Sequence, residues 1–147
     1  APYMGIDSLE PFRHPGKWLI ALALTSNPGS ADFQRLMLVN GKSLFEEVLT
    51  ALTASFSKEE MMFVVGATPP QDFAGLRKIV PEHFLLVPGV GAQGGDLEGV
   101  MRYGATKDGG LLINSSRGII YASADVDFAD AARMKAMALQ KQMAQYL

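Results

Sequence analysis

Two glycine- and serine-rich loops carry the side chains best suited to chemistry in this sequence, and both have the composition of anion-binding segments. The first is Pro88-Gly89-Val90-Gly91-Ala92-Gln93-Gly94-Gly95-Asp96. Its glycines permit positive φ angles and let backbone N–H groups converge on a concavity, and Gln93 adds a neutral side-chain donor. The second is Asn114-Ser115-Ser116-Arg117-Gly118. Arg117 offers a planar fork that matches two phosphate oxygens, and Ser116 and Gly118 allow close backbone approach. Each loop directly follows a short apolar run, Phe84 to Val87 and Leu111 to Ile113.

Those runs belong to a repeating pattern. Five apolar segments recur, at Pro2 to Gly5, Trp18 to Leu24, Met61 to Val65, Phe84 to Val87 and Leu111 to Ile113. The middle three hold no polar residue, as expected of strands buried on both faces of a parallel sheet. Helical signals fill the gaps. Thr68-Pro69-Pro70-Gln71 supplies a cap, Pro at the first helical position and Gln three residues after the cap, with a stop before Pro81. Ser57-Lys58-Glu59-Glu60 is a second capping box, leading into one short turn. Leu44, Val48, Leu49 and Leu52 form one apolar face. In the tail, Ala129, Ala132, Ala136, Leu139 and Met143 form another, with Asp125 or Asp127 placed to cap the helix.

Alternation of strand and helix implies parallel β/α architecture in one domain over residues 1–147, since no Gly/Ser-rich linker divides the chain. A doubly wound sheet and part of a (β/α)8 barrel both fit. A complete barrel needs about 250 residues, and its phosphate site commonly lies between the loops after strands seven and eight. On that assignment the chain spans roughly strands 4–8 and lacks strands one to three. It opens on Ala-Pro-Tyr-Met-Gly without an initiator Met, and is read as the interior of a longer polypeptide.

Composition narrows the function. The 147 residues are 48% hydrophobic and 19% charged, which suits a packed domain rather than a disordered one. A formal charge of −2 gives no bulk attraction to nucleic acid or an anionic membrane, and no apolar run reaches the length of a membrane helix. The absence of cysteine excludes disulfides and thiol catalysis and fits a cytoplasmic protein. His14 and His83 lack companions at metal-ligand spacing, so no metal is expected. Asp7, Asp72 and Asp96 are read as helix-start acids and Trp18 as a packing residue. Gly89-x-Gly91-x-x-Gly94 also satisfies a dinucleotide fingerprint. It lies in the fourth βα unit rather than the first, however, and no acid ends the next strand to hold a ribose.

The nonapeptide from Pro88 to Asp96, with Ser116-Arg117-Gly118-Ile119 after the next strand, resembles the orotidine 5′-phosphate decarboxylase family. The opening Pro2-Tyr3-Met4-Gly5-Ile6-Asp7-Ser8-Leu9 and the stretch Thr25-Ser26-Asn27-Pro28-Gly29 are similar to the same family's fourth and fifth strand ends. The likeness is to the bacterial branch with a long insertion after strand five. It implies a TIM-barrel fold and decarboxylation of orotidine monophosphate to uridine monophosphate, without metal or organic cofactor. It further implies that Gln93 and Arg117 bind the 5′-phosphate, that Ser26 meets the pyrimidine and that Pro88 lines the base pocket. Ser116 stands where many members have Gly, and its backbone donor is expected to serve equally. A homodimer is the expected assembly.

The family's catalytic Asp-x-Lys-x-x-Asp is missing. Lys17, Lys42, Lys58, Lys78, Lys107, Lys135 and Lys141 are preceded two residues earlier by Pro15, Asn40, Phe56, Leu76, Ala105, Arg133 and Leu139. The sequence thus resembles the C-terminal half or so of the enzyme, holding the substrate-gripping loops without the catalytic lysine. A non-catalytic nucleotide-binding half-barrel and another phosphosugar barrel enzyme remain as alternatives. The loop from Pro88 to Asp96 is expected to close over a bound nucleotide, bringing Gln93 to the phosphate and to Ser26.

Overall fold

A computed structural model describes residues 2–67, 69–91 and 95–147. Among these, four strands form one parallel sheet in the order β1 (Leu19–Leu24), β2 (Met61–Val65), β3 (Leu85–Pro88) and β4 (Leu111–Asn114). Strands that pair in sequence order, without a reversal, make a sector of a barrel. A doubly wound sheet would reverse its order at a switch point.

One face of the sheet is packed and the other is largely open. Ala21, Phe63, Leu85 and Leu111 lie in register across the packed face, and each is buried. Against them lie α2 (Leu44–Ser55), α3 (Asp72–Ile79) and α4 (Leu97–Gly104), through Leu49, Leu52, Phe73, Leu76, Val100 and Met101. Full burial of side chains of this size contributes about 1.5–3 kcal/mol each. On the opposite face Ile20, Leu22 and Leu112 are about half exposed, at 52%, 42% and 50%, although Met62 beside them is buried. The expectation of strands buried on both faces is met by β2, whereas β1 is buried on one face only, with Ile20 and Leu22 half exposed on the other. These side chains point toward what is the interior of a closed barrel, and the four strands here enclose no interior of their own.

The fifth expected strand is absent. Pro2–Met4 is a turn of 3-10 helix, followed by two more at Ile6–Ser8 and Glu10–Phe12. Proline fixes φ near the helical value, and Gly5 takes φ 90°, a left-handed turn that ends any extended run.

Helix boundaries follow local chemistry. At the start of α2 the Ser43 N–H and hydroxyl both donate to the Glu46 carboxylate at 2.7 Å, which holds that carboxyl below its ordinary range. The turn before β2 closes as expected, with the Ser57 N–H donating to Glu60 Oε2 at 3.0 Å. Thr68 lies outside the described residues. α3 starts at Asp72 rather than at Pro69, because the two prolines form turns whose carbonyls accept from Asp72 and Phe73 N–H. It ends at Ile79, as Pro81 requires. Among the described residues two more α-helices follow, α5 (Ser116–Ile120) and α6 (Phe128–Met143), the latter running into a 3-10 turn at Ala144–Tyr146, while α1 (Ser30–Phe33) is a single turn after β1. Asp127 stands at the α6 cap position without capping it, and instead accepts the Ser123 hydroxyl at 2.6 Å. Of the tail's apolar stripe, Leu139 and Met143 pack on the core, whereas Ala129 and Ala136 stay exposed.

Candidate active site

Pro88 and Asn114 are register partners at the ends of β3 and β4, so the two glycine- and serine-rich loops leave the sheet at one level. Gly89 and Gly91 take φ 92° and 80°, conformations that a side chain would strain. Val90 and Gly95 of the first loop form an isolated bridge, with the Gly91 N–H donating to the Gly95 carbonyl at 3.2 Å. It is joined to the second loop by the buried Ser115, whose hydroxyl donates to the Val90 carbonyl at 3.1 Å. Ser116 Oγ donates to Asn114 Oδ1 at 2.8 Å.

Between the loops lies an open pocket of about 110 Å³, lined by Pro88, Gly89, Val90, Asn114, Ser115, Ser116 and Arg117. Arg117, in the first turn of α5, is exposed, and none of the ion pairs among the described residues uses it. Small, backbone-rich walls with one guanidinium at the mouth suit a compact oxyanion.

Ser26 reaches the same rim from the end of β1, but does not line this pocket. The two are connected through the β2 loop. Gly66 sits flush against Ser26, and the next residue, Ala67, donates its N–H to the Pro88 carbonyl at 3.3 Å. Of the residues singled out from sequence, the structure brings Pro88, Ser116 and Arg117 into one pocket and places Ser26 two strands away. Gln93 lies outside the described residues. Ser115 escaped the sequence reading because its role is a contact with a residue 25 positions away.

No group of three His, Cys, Asp or Glu side chains among the described residues could hold a metal. His83 is buried against the Phe63 ring at the other end of the sheet, with centroids 5.5 Å apart, and His14 is exposed. Asp72 pairs with Arg35, bracing α3 against the segment after α1. Among the described residues, no helix is long and apolar enough to cross a membrane.

Comparison with known proteins bears on the family and the fold. Residues 1–132 match the family model described as orotidine 5′-phosphate decarboxylase / HUMPS family. An orotidine 5′-phosphate decarboxylase of Bacteroides fragilis is 56% identical over 148 residues, covering 100% of this chain and 54% of the relative. One from Flavobacterium johnsoniae is 51% identical over the same span. Among solved structures, the OMP decarboxylase of Leishmania donovani superposes with TM-score 0.79 at 35% identity, covering 97% of this chain and 55% of that one. The UMP synthase of the same organism gives TM-score 0.82 at 38% identity, covering 97% of this chain and 32% of that one. The sheet is therefore part of a (β/α)8 barrel, and the chain spans about half the length of the curated relatives it matches. On these matches the chain belongs to the orotidine 5′-phosphate decarboxylase / HUMPS family.

Proposed function

We propose that this chain supplies the phosphate- and pyrimidine-binding loops of an orotidine 5′-phosphate decarboxylase, which forms uridine monophosphate and CO2 without a metal or organic cofactor. The observation that carries this reading is the pocket shared by the β3 and β4 loops, with Arg117 at its mouth. Arg117 and Gln93 hold the 5′-phosphate, Ser116 contributes backbone donation, Pro88 walls the base and Ser26 meets the pyrimidine edge. The assignment of Gln93 rests on sequence alone.

Binding energy from the phosphate, remote from the reacting carbon, organises the site in which the carboxylate is lost. The lysine and carboxylates that act on that carbon come from the part of the barrel this chain does not contain, because none of its lysines follows an Asp at the required spacing. The chain alone is inactive on this reading. The full-length polypeptide, this chain joined to the remainder of the barrel, works in the cytoplasm as a homodimer.

The test is Arg117→Ala in that full-length polypeptide. A lost charge-assisted hydrogen-bonding group lowers kcat/KM on orotidine monophosphate about 10- to 150-fold. Activity on orotidine, which lacks the phosphate, is expected to change little. Equal losses on both substrates would make Arg117 a structural residue and overturn the assignment.

A further inference from the structure

Past Leu24 the β1 strand ends, and the loop that follows projects from the rim, with Ser26, Asn27, Pro28 and Gly29 exposed. Nothing in the sheet ladder fixes where Ser26 stands. We propose that Gln34 is a positioning residue that sets the place of Ser26, and thereby governs recognition of the base and not of the phosphate. The inference rests on the reading of Ser26 as the pyrimidine contact.

Gln34 applies both ends of its amide to one residue. Its Oε1 accepts the Thr25 main-chain N–H at 2.7 Å, and its Nε2 donates to Thr25 Oγ1 at 2.8 Å. The Thr25 hydroxyl proton is then directed to Asn27 Oδ1 at 2.6 Å, on the far side of Ser26. A two-point clamp fixes orientation as well as distance, and it acts on the peptide plane between Leu24 and Thr25 and on the Thr25 side chain, one residue before Ser26. Both Thr25 and Gln34 are half-buried, so water competes weakly for these bonds.

Gln34 is itself held by the packed side of the molecule. Its N–H donates to the Ser30 carbonyl and closes α1, and its carbonyl accepts the Phe45 N–H at 2.9 Å in the first turn of α2. α2 is anchored in the core through Leu49 and Leu52. On the other flank stands Gly66. A Cβ at that position would lie 2.6 Å from the Ser26 nitrogen and 2.8 Å from its Cβ, closer than atoms can approach. Ser26 is thus confined between an amide clamp rooted in α2 and the bare backbone of Gly66, just past the end of β2.

The experiment measures dissociation constants of uridine monophosphate and of ribose 5-phosphate for the full-length polypeptide. The second ligand keeps the phosphate and lacks the base. Gln34→Ala is expected to weaken uridine monophosphate binding about 5- to 30-fold, the equivalent of two part-buried hydrogen bonds, and to leave ribose 5-phosphate unchanged. Gln34→Glu keeps an acceptor for the Thr25 N–H and is expected to recover part of the loss. Gly66→Ala, pressing on Ser26 from the other flank, is expected to give the same base-selective defect. Combined with Ser26→Ala, Gln34→Ala is expected to add nothing.

Additive losses in the double variant would overturn the proposal while leaving the role of Ser26 intact. An equal loss of ribose 5-phosphate binding would overturn it too, by showing a general collapse of the rim. If Ser26→Ala alone leaves uridine monophosphate binding unchanged, the assignment of Ser26 fails first, and this inference fails with it.

Discussion

Arg77 and Arg117 lie at opposite ends of one parallel sheet, and their surroundings differ in a way that assigns each a different task. Arg77, in the last turn of α3, is part-buried and directs its whole fork inward. Its Nε donates to the Gly104 carbonyl at 2.7 Å, its Nη1 to those of Val80 and His83 at 2.9 and 2.7 Å, and its Nη2 to that of Gly110 at 2.9 Å. It thereby ties together the ends of α3 and α4 and the segments that enter β3 and β4. Burial pulls its pKa down to about 10, while the four carbonyls favour the charged form. Arg117, at the C-terminal end of the strands, is exposed above a pocket of small residues. A guanidinium whose donors are taken up by main-chain carbonyls is a component of the fold, and one facing an open pocket is available to a ligand. In β/α barrels the C-terminal end of the strands carries function and the N-terminal end carries stability.

Four substitutions would break or sharpen that contrast. Arg77→Ala leaves carbonyls on four segments without their donor, and is expected to destabilise the full-length polypeptide by about 3–5 kcal/mol in urea unfolding. Arg117→Ala is expected to leave the unfolding midpoint unchanged, and a comparable loss there would erase the distinction between the two ends.

Ser115→Ala tests a middle case, a hydroxyl at the functional end that serves structure. Loss of its bond to Val90 is expected to cost about 1 kcal/mol of stability, with a parallel loosening of phosphate binding. A silent substitution by both measures would mean that the two loops hold their places without this link.

The smallest effect belongs to His83, beside the Arg77 knot. Burial lowers its pKa, the main chain of Phe56 pulls the other way, and neither ring nitrogen finds a hydrogen-bond partner among the described residues. Between the unfolded value near 6.5 and the lower folded one, the unfolded chain binds more protons. Stability is therefore present above about pH 6.5 and is lost as pH falls toward the folded value. In His83→Phe the fall in melting temperature between about pH 7.5 and about pH 5 is expected to shrink. An unchanged pH profile would show that other groups set the acid limit.

Much of this fold was legible in the sequence, for reasons tied to particular residues. The runs at Trp18, Met61, Phe84 and Leu111 became strands within a residue or two, because each is apolar, short and bordered by turn formers. Pro2 to Gly5 failed the same reading, since its apolar content is real while its Pro and Gly bend the chain out of the extended form. The pocket residues Pro88, Ser116 and Arg117 could be found because they occupy consecutive loops at strand ends. Ser115 and Gln34 could not. Their partners, Val90 and Thr25, are set by the register of the sheet and the placement of α1, which no local pattern encodes.

The pairing order of the strands also bears on how the molecule assembles. Every strand joins its neighbour in sequence, so each closure spans a single βα unit, but the units are unequal. The chain from Leu19 to Met61 is nearly twice as long as that from Phe63 to Leu85. Each doubling of a closed loop costs about 0.6 kcal/mol more in chain entropy. The pairing of β2, β3 and β4 through their shorter crossovers is thus favoured over the docking of β1. The pocket between the β3 and β4 loops can take shape before the strand that leads into Ser26 arrives; on the function proposed above, the site would be completed from its phosphate end toward its base end.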